Sequence, residues 1–226
     1  MIARSEAEFL DRYVVRRGYD ARLPRLWNPV RMTYIDTIPE EQATGAVAEL
    51  YDADRANAGE VRNLTKALSH APEICAAWVQ LNAAIKARMD LRRYELATIA
   101  AARRLRSTYC AHAHGAVLLE NFLDADTLRA VIADHRDAGL EPVDVAVMDY
   151  ADKIVVDAAS VTEEDIDRLR SFGLSDSDIL DVAAAASARC FFSKLLDALG
   201  VQADASYASL DGDLSAALTF GRPVEA

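Results

Sequence analysis

Long apolar runs are missing from this chain. No stretch approaches the roughly 20 consecutive apolar residues that cross a bilayer, and the opening MIARSEAEFLDR is charged where a secretory leader would be apolar. A cytoplasmic protein with no membrane partner is expected. Cysteine is scarce as well: Cys75, Cys110 and Cys190 are odd in number and far apart. That pattern excludes a secreted disulfide framework and leaves each as a small buried hydrophobe or a reactive thiol. Positive charge is short. Twenty-five Lys and Arg stand against 36 Asp and Glu, a net charge of −11, and RRLR at 103–106 is the densest basic run. Neutralising nucleic acid needs clustered Lys and Arg, so no nucleic-acid partner is expected. Strand alternation is also absent. What remains is helical periodicity, in a chain of 226 residues that is 52% hydrophobic and can therefore bury one sizeable core or two modest ones, a single domain with an N-terminal extension being the first choice.

Ser5 followed by Glu8 fits a capping box, and Phe9, Leu10, Tyr13 and Val14 recur at helical spacing. Three prolines between Leu23 and Pro39 then read as an extended arm that must lie on something to be ordered. Residues 1–36 are assigned to this helix and arm, 37–203 to an all-helical domain, and 204–226 to a tail that is loosely held unless it docks on a neighbour. Within the domain, Pro72 opens an Ala-rich helix to Met89 with Ile74, Trp78, Leu81 and Ile85 on one stripe. Asp90 caps a helix through about Arg104, and another runs from about Ser107 to Phe122. Asp124 or Asp126 caps the next, and Pro142 opens another. Thr162 with Asp165 starts a short helix ended by Gly173, and Ser175 with Asp178 starts a long one that Gly200 stops.

The stretch RSTYCAHAHG concentrates the chemistry. From Ser107, steps of three and seven reach Cys110 and His114, so the three share a helical face, whereas His112 points away. Cys110 and His114 could share a metal, but no further Cys or His lies at ligand spacing, and no metal is expected. With Ser107 as N-cap, its hydroxyl accepts from the Cys110 amide and the thiol sits in the first turn, where the helix dipole favours an anion. His114 can then stabilise a thiolate or shuttle its proton. Glu95, twelve residues before Ser107, is either a solvated charge or a desolvated base. Tyr109 reads as packing or pocket wall and His112 as a surface or subunit-contact residue. Cys75 and Cys190 read as packing.

Glu95, Ser107, Cys110 and His114 resemble the redox motif of the alkylhydroperoxidase D and carboxymuconolactone decarboxylase superfamily: Glu, eleven residues, Cys-x-x-Cys, and His four residues on. LSHAPEICAAW, RRYELATIAAARRL, STYCAHAHG, MDYADK, VTEEDIDRLRSFGLSDSDILDV and LLDALGV are similar, in order, to segments of its peroxidase-related branch. The resemblance spans most of 40–201. It implies an all-α fold and a symmetric homo-oligomer. It also implies Cys110 as the peroxide-attacking thiol, with Glu95 and His114 as proton relay; Ser107 and Tyr109 are read beside it as supporting residues. Ser107 departs from the pattern, because it stands where the resolving thiol would be.

Three functions follow as expectations. The first is a thiol-dependent peroxidase reducing hydrogen peroxide or organic hydroperoxides. It needs no metal or organic cofactor, and it needs a thiol from a small molecule, a partner protein, or Cys190 or Cys75. The second is a decarboxylase-like proton-transfer enzyme using Glu95 and His114. The third is a non-catalytic oligomeric redox sensor.

Overall fold

A computed structural model describes residues 32–225 of the chain. The expected helix near Ser5 and the arm as far as residue 31 lie outside the described residues. Ten α-helices run through the described residues, which contain no strand. In chain order they are α1 (Ala46–Ala58), α2 (Asn63–Ala67), α3 (Pro72–Lys86), α4 (Leu91–Leu105), α5 (Thr108–Asn121), α6 (Ala125–Asp134), α7 (Pro142–Asp157), α8 (Glu163–Ser171), α9 (Asp176–Leu199) and α10 (Gly212–Leu218). This is the all-α architecture the periodicity predicts.

The helix boundaries follow their local chemistry. The Asp90 carboxylate accepts from Arg93 N at 3.0 Å, and Asp124, rather than Asp126, accepts from Thr127 N at 2.7 Å. Thr162–Asp165 and Ser175–Asp178 form reciprocal capping boxes, and Pro72 and Pro142 sit in first turns where a missing N–H costs nothing. Two boundaries differ from the sequence reading. α3 ends at Lys86, not Met89. Ser107 takes the N-cap backbone geometry of α5, with its carbonyl accepting from Ala111 N at 3.0 Å, but its side chain makes no cap bond.

α4 is the axle of the molecule and packs against α5, α7 and α9. Every residue from Tyr94 to Ala102 is buried, and Ala97, Ala100, Ala101 and Ala102 let the neighbouring backbones approach closely. Burying all sides of one turn after another also buries Glu95, which is thereby committed to a partner. A single αL residue, Arg106 (φ 57°), turns α4 into α5 and brings their facing residues together.

The segment beyond Ala203 docks on the preceding helices. Gly221 N donates to Thr108 Oγ1 at 3.0 Å, Arg106 reaches Phe220 O at 3.0 Å, and Glu225 N reaches Ala203 O at 2.9 Å. Leu218 packs so closely on Gly115 that a β-carbon there would meet its methyl at 3.0 Å. The described end of the arm also lies on the chain: Thr33 Oγ1 and Tyr34 N both donate to Leu199 O, at 2.7 and 2.8 Å.

Candidate active site

Cys110 and His114 lie one turn apart on α5, Glu95 comes from α4, and α9 and α3 close the group. His114 Nδ1 is 2.6 Å from Glu95 Oε2, and Lys86 Nζ is 3.3 Å from Glu95 Oε1. Across the ring, His114 Nε2 is 3.0 Å from Arg189 Nη1. A guanidinium only donates, so Nε2 accepts, and the proton of the neutral ring sits on Nδ1, donated to Glu95. The same Arg189 Nη1 is 3.9 Å from Cys110 Sγ, and Ser193 Oγ donates to that sulfur at 3.1 Å. Asn82 Oδ1 accepts from both Arg189 Nη2, at 3.0 Å, and the Tyr94 hydroxyl, at 2.6 Å.

Burial and charge set the protonation of the pair. Burial pushes the Glu95 carboxyl up, but the His114 N–H and the Lys86 ammonium more than offset it, and Glu95 stays ionised below its ordinary range. Burial first, with Arg189 and Lys86 adding to it, holds His114 below its ordinary value against the pull of Glu95, so the ring rests neutral. Cys110 and Glu95 are each 1% exposed, while Lys86, at 43%, is the member in touch with solvent. The Lys86 and Glu95 charges cancel. Arg189 pairs with no carboxylate among the described residues.

The sequence-predicted residues separate into two groups. Glu95, Cys110 and His114 come together, though Glu95 bonds to His114 and Lys86 and reaches the sulfur only through the imidazole. The Ser107 hydroxyl is buried and makes no hydrogen bond among the described residues, so the expected cap bond to the Cys110 amide is not made. Tyr109, about 100° round the helix from Cys110, donates its hydroxyl to Asp204 and faces the C-terminal segment. Burial, with Asp204 beside it, raises Tyr109 well above its ordinary value. His112 corrects the surface reading. It is fully buried, with Nδ1 3.0 Å from Thr108 O and Nε2 3.3 Å from Ser215 Oγ, because α10 covers that face of α5. Cys75 is buried, and burial pushes its thiol up to about 11; the half-buried Cys190 is raised for the same reason.

Sequence reasoning missed Arg189, Ser193, Asn82 and Lys86. One signal was available: Arg189 is the lone cation in AAAASARCFF, and Ser193 follows it by one helical turn. Among the described residues no group of three or more His, Cys, Asp or Glu could hold a metal ion, and no helix is long and apolar enough to cross a membrane. A cleft of about 580 Å³ lined by Arg104, Asp149, Asp152 and Arg168 includes none of the site residues.

Residues 72–153 match the model of the carboxymuconolactone decarboxylase family, a span that holds α3 to α5 and with them Glu95, Cys110 and His114. The likeness to that family covers the central segment of the chain. Solved structures extend the likeness of this family segment to the surrounding helices. The alkylhydroperoxidase AhpD core of an uncharacterized peroxidase-related protein from Ralstonia eutropha JMP134 has a TM-score of 0.72 at 20% identity, covering 78% of this chain and 95% of that one. A peroxidase-related protein from Silicibacter sp. TM1040 gives 0.68 at 22%, covering 80% and 93%. The debrominase Bmp8 in complex with 2,3,4-tribromopyrrole gives 0.67 at 14%, covering 80% and 97%. These likenesses establish the AhpD-like all-α fold. No curated protein matches the chain.

Proposed function

We propose that the chain is a thiol-dependent, peroxidase-like oxidoreductase that reduces hydrogen peroxide or organic hydroperoxides through Cys110. One observation carries the reading: a neutral imidazole, backed by an ionised carboxylate and with its free nitrogen unprotonated, lies one helical turn from a sulfur that receives donors from Ser193 and Arg189. The Cys110 proton passes to His114 Nε2, and Glu95 balances the imidazolium. The sulfur attacks the terminal peroxide oxygen. The O–O bond breaks with its electron pair on the leaving oxygen, which takes the proton back from His114 and departs as alcohol or water. Cys110 is left as a sulfenic acid. With Ser107 in the resolving position, an external thiol condenses with it to a mixed disulfide and water, and a second thiol releases Cys110.

No step uses a metal or an organic cofactor, and a free thiol pool suits a reducing cytoplasm. Peroxide consumption with added dithiothreitol is expected to fall to background in Cys110→Ser, with a dimedone adduct on Cys110 of the unaltered protein; full activity in the variant sinks the reading. The Glu95–His114 pair also forms a complete general base without sulfur, which supports a decarboxylase-like proton transfer as the second reading. Cys110→Ala would then be tolerated and Glu95→Gln would not.

Association of copies is part of the proposal. Residues 74–85 carry no charge in a strongly acidic chain, and α3 exposes Ile74, Val79 and Leu81 beside Phe191 of α9. Leu81→Glu is expected to lower the mass measured by light scattering; an unchanged mass removes this face from the interface.

A further inference from the structure

A buried charge persists in a fold only when something opposite or strongly polar answers it. Arg189 is 4% exposed, and its guanidinium lies over the Trp78 ring at 4.6 Å and the Phe192 ring at 5.5 Å. Nη2 is fixed by Asn82, Nε is buried without an acceptor, and Nη1 lies between His114 Nε2 and Cys110 Sγ. No carboxylate pairs with it among the described residues. Cys110 Sγ, 3.9 Å from Nη1, is a group within its reach that can become an anion.

We propose that Arg189 is a charged member of the reaction centre: Nη1 keeps His114 Nε2 unprotonated at rest, then exchanges that nitrogen for the sulfur when Cys110 ionises. This rests on Cys110 being the nucleophile. Arg189 neither gives nor takes a proton. As the Cys110 proton moves to Nε2, that nitrogen becomes a donor and repels the guanidinium, which turns to the thiolate beside it. The negative charge then passes to the leaving oxygen, where the imidazolium quenches it, and the sulfur is left two electrons more oxidised. Because Ser107 supplies no resolving thiol, the sulfenic acid must wait for one from outside, and Arg189 and Ser193 hold it through that interval. The site is therefore built to favour reagents and substrates that bring or develop negative charge at the sulfur.

Two measurements on the unaltered protein test this without using turnover. Nitrogen-15 NMR of the imidazoles should show His114 protonated on Nδ1 and bare on Nε2. Cys110 should prefer anionic iodoacetate over neutral iodoacetamide, relative to Cys190 in the same molecule. In Arg189→Gln the preference should fall by about tenfold or more and the His114 tautomers should mix, while Arg189→Lys should restore the preference in large part. A proton on Nε2 in the unaltered protein overturns the proposal, as does an iodoacetate preference equal to that of Cys190. Protein that shows both signatures but consumes no peroxide overturns the peroxidase reading and leaves the role of Arg189 standing.

Discussion

Glu95→Gln isolates the electrostatic part of the proton relay. Glutamine keeps the size of the side chain and can still accept from His114 Nδ1, so packing and tautomer are retained while the charge is lost. In the native site that charge sits 2.6 Å from Nδ1 at a position 1% exposed, so solvent screens it little. When His114 takes the Cys110 proton, the imidazolium would face Arg189 and Lys86 with only the new thiolate, and no carboxylate, to balance them. A hydrogen bond to a charged group is worth about 1.5–3 kcal/mol against about 1 for a neutral one, and opposite unit charges near 4 Å contribute about 4 kcal/mol at an effective dielectric constant near 20. Together these give a net penalty of about 2–4 kcal/mol on proton transfer, a fall of roughly 30- to 1,000-fold in rate. The assay is pseudo-first-order alkylation of Cys110 by iodoacetamide near neutral pH, read by peptide mass, beside peroxide consumption on the same samples. Lys86→Met serves as control, since that ammonium is 43% exposed and its loss should cost no more than about threefold. A folded Glu95→Gln protein whose Cys110 reacts within about threefold of the unaltered rate would refute the assignment of His114 as the base.

The same pair ties stability to pH. Glu95 and His114 both titrate below their ordinary values of 4.5 and 6.5, so the folded chain binds fewer protons than the unfolded one and stability rises with pH. The His114 contribution is complete above 6.5 and is lost as pH falls below it; the Glu95 contribution is complete above 4.5 and is lost below that. Urea midpoints should therefore decline on acidification, and His114→Gln should flatten the part of that decline nearest pH 6.5; a slope unchanged by the substitution contradicts the buried neutral ring. Gly200→Ala puts a β-carbon 2.6 Å from the Tyr34 ring at φ 71°, so the arm must move off α9. The left-handed strain alone costs about 1–2 kcal/mol, a fall in Tm of roughly 2–8 °C by scanning calorimetry; no fall would mean that Tyr34 does not pack there. Tyr109→Phe removes a donor from Asp204 and should destabilise by about 1.5–3 kcal/mol in denaturant titrations without changing Cys110 alkylation. A changed alkylation rate would return Tyr109 to the site.

What could be read from the sequence was what depends on neighbours within a turn or two. Asp90, the Thr162–Asp165 and Ser175–Asp178 boxes, and Gly200 act on backbone groups three or four residues away, so their effects survive without knowledge of the fold. Cys110 and His114 share a face for the same reason. Ser107 shows where local reasoning stops: its backbone takes the cap geometry of α5 as expected, but its buried hydroxyl makes no cap bond. His112 was misjudged because nothing near it in the sequence announces α10, a hundred residues on, which covers it. Arg189 reaches His114 across 75 residues, and only the packing of α9 on α4 and α5 explains why a lone cation belongs in an alanine-rich helix.

A guanidinium with no carboxylate partner among the described residues has a consequence for anyone who breeds this protein for heat tolerance. Replacing a buried ionic group by a well-packed apolar one is often neutral or favourable to a fold, and Trp78 and Phe192 already offer a hydrocarbon bed for a leucine or methionine at position 189. A campaign that scores melting temperature alone would drift towards that replacement and return sturdier molecules with a silent sulfur. Retention of Arg189 in variants selected for reactivity, and its loss in variants selected for robustness, would record in sequence what the site demands of the fold.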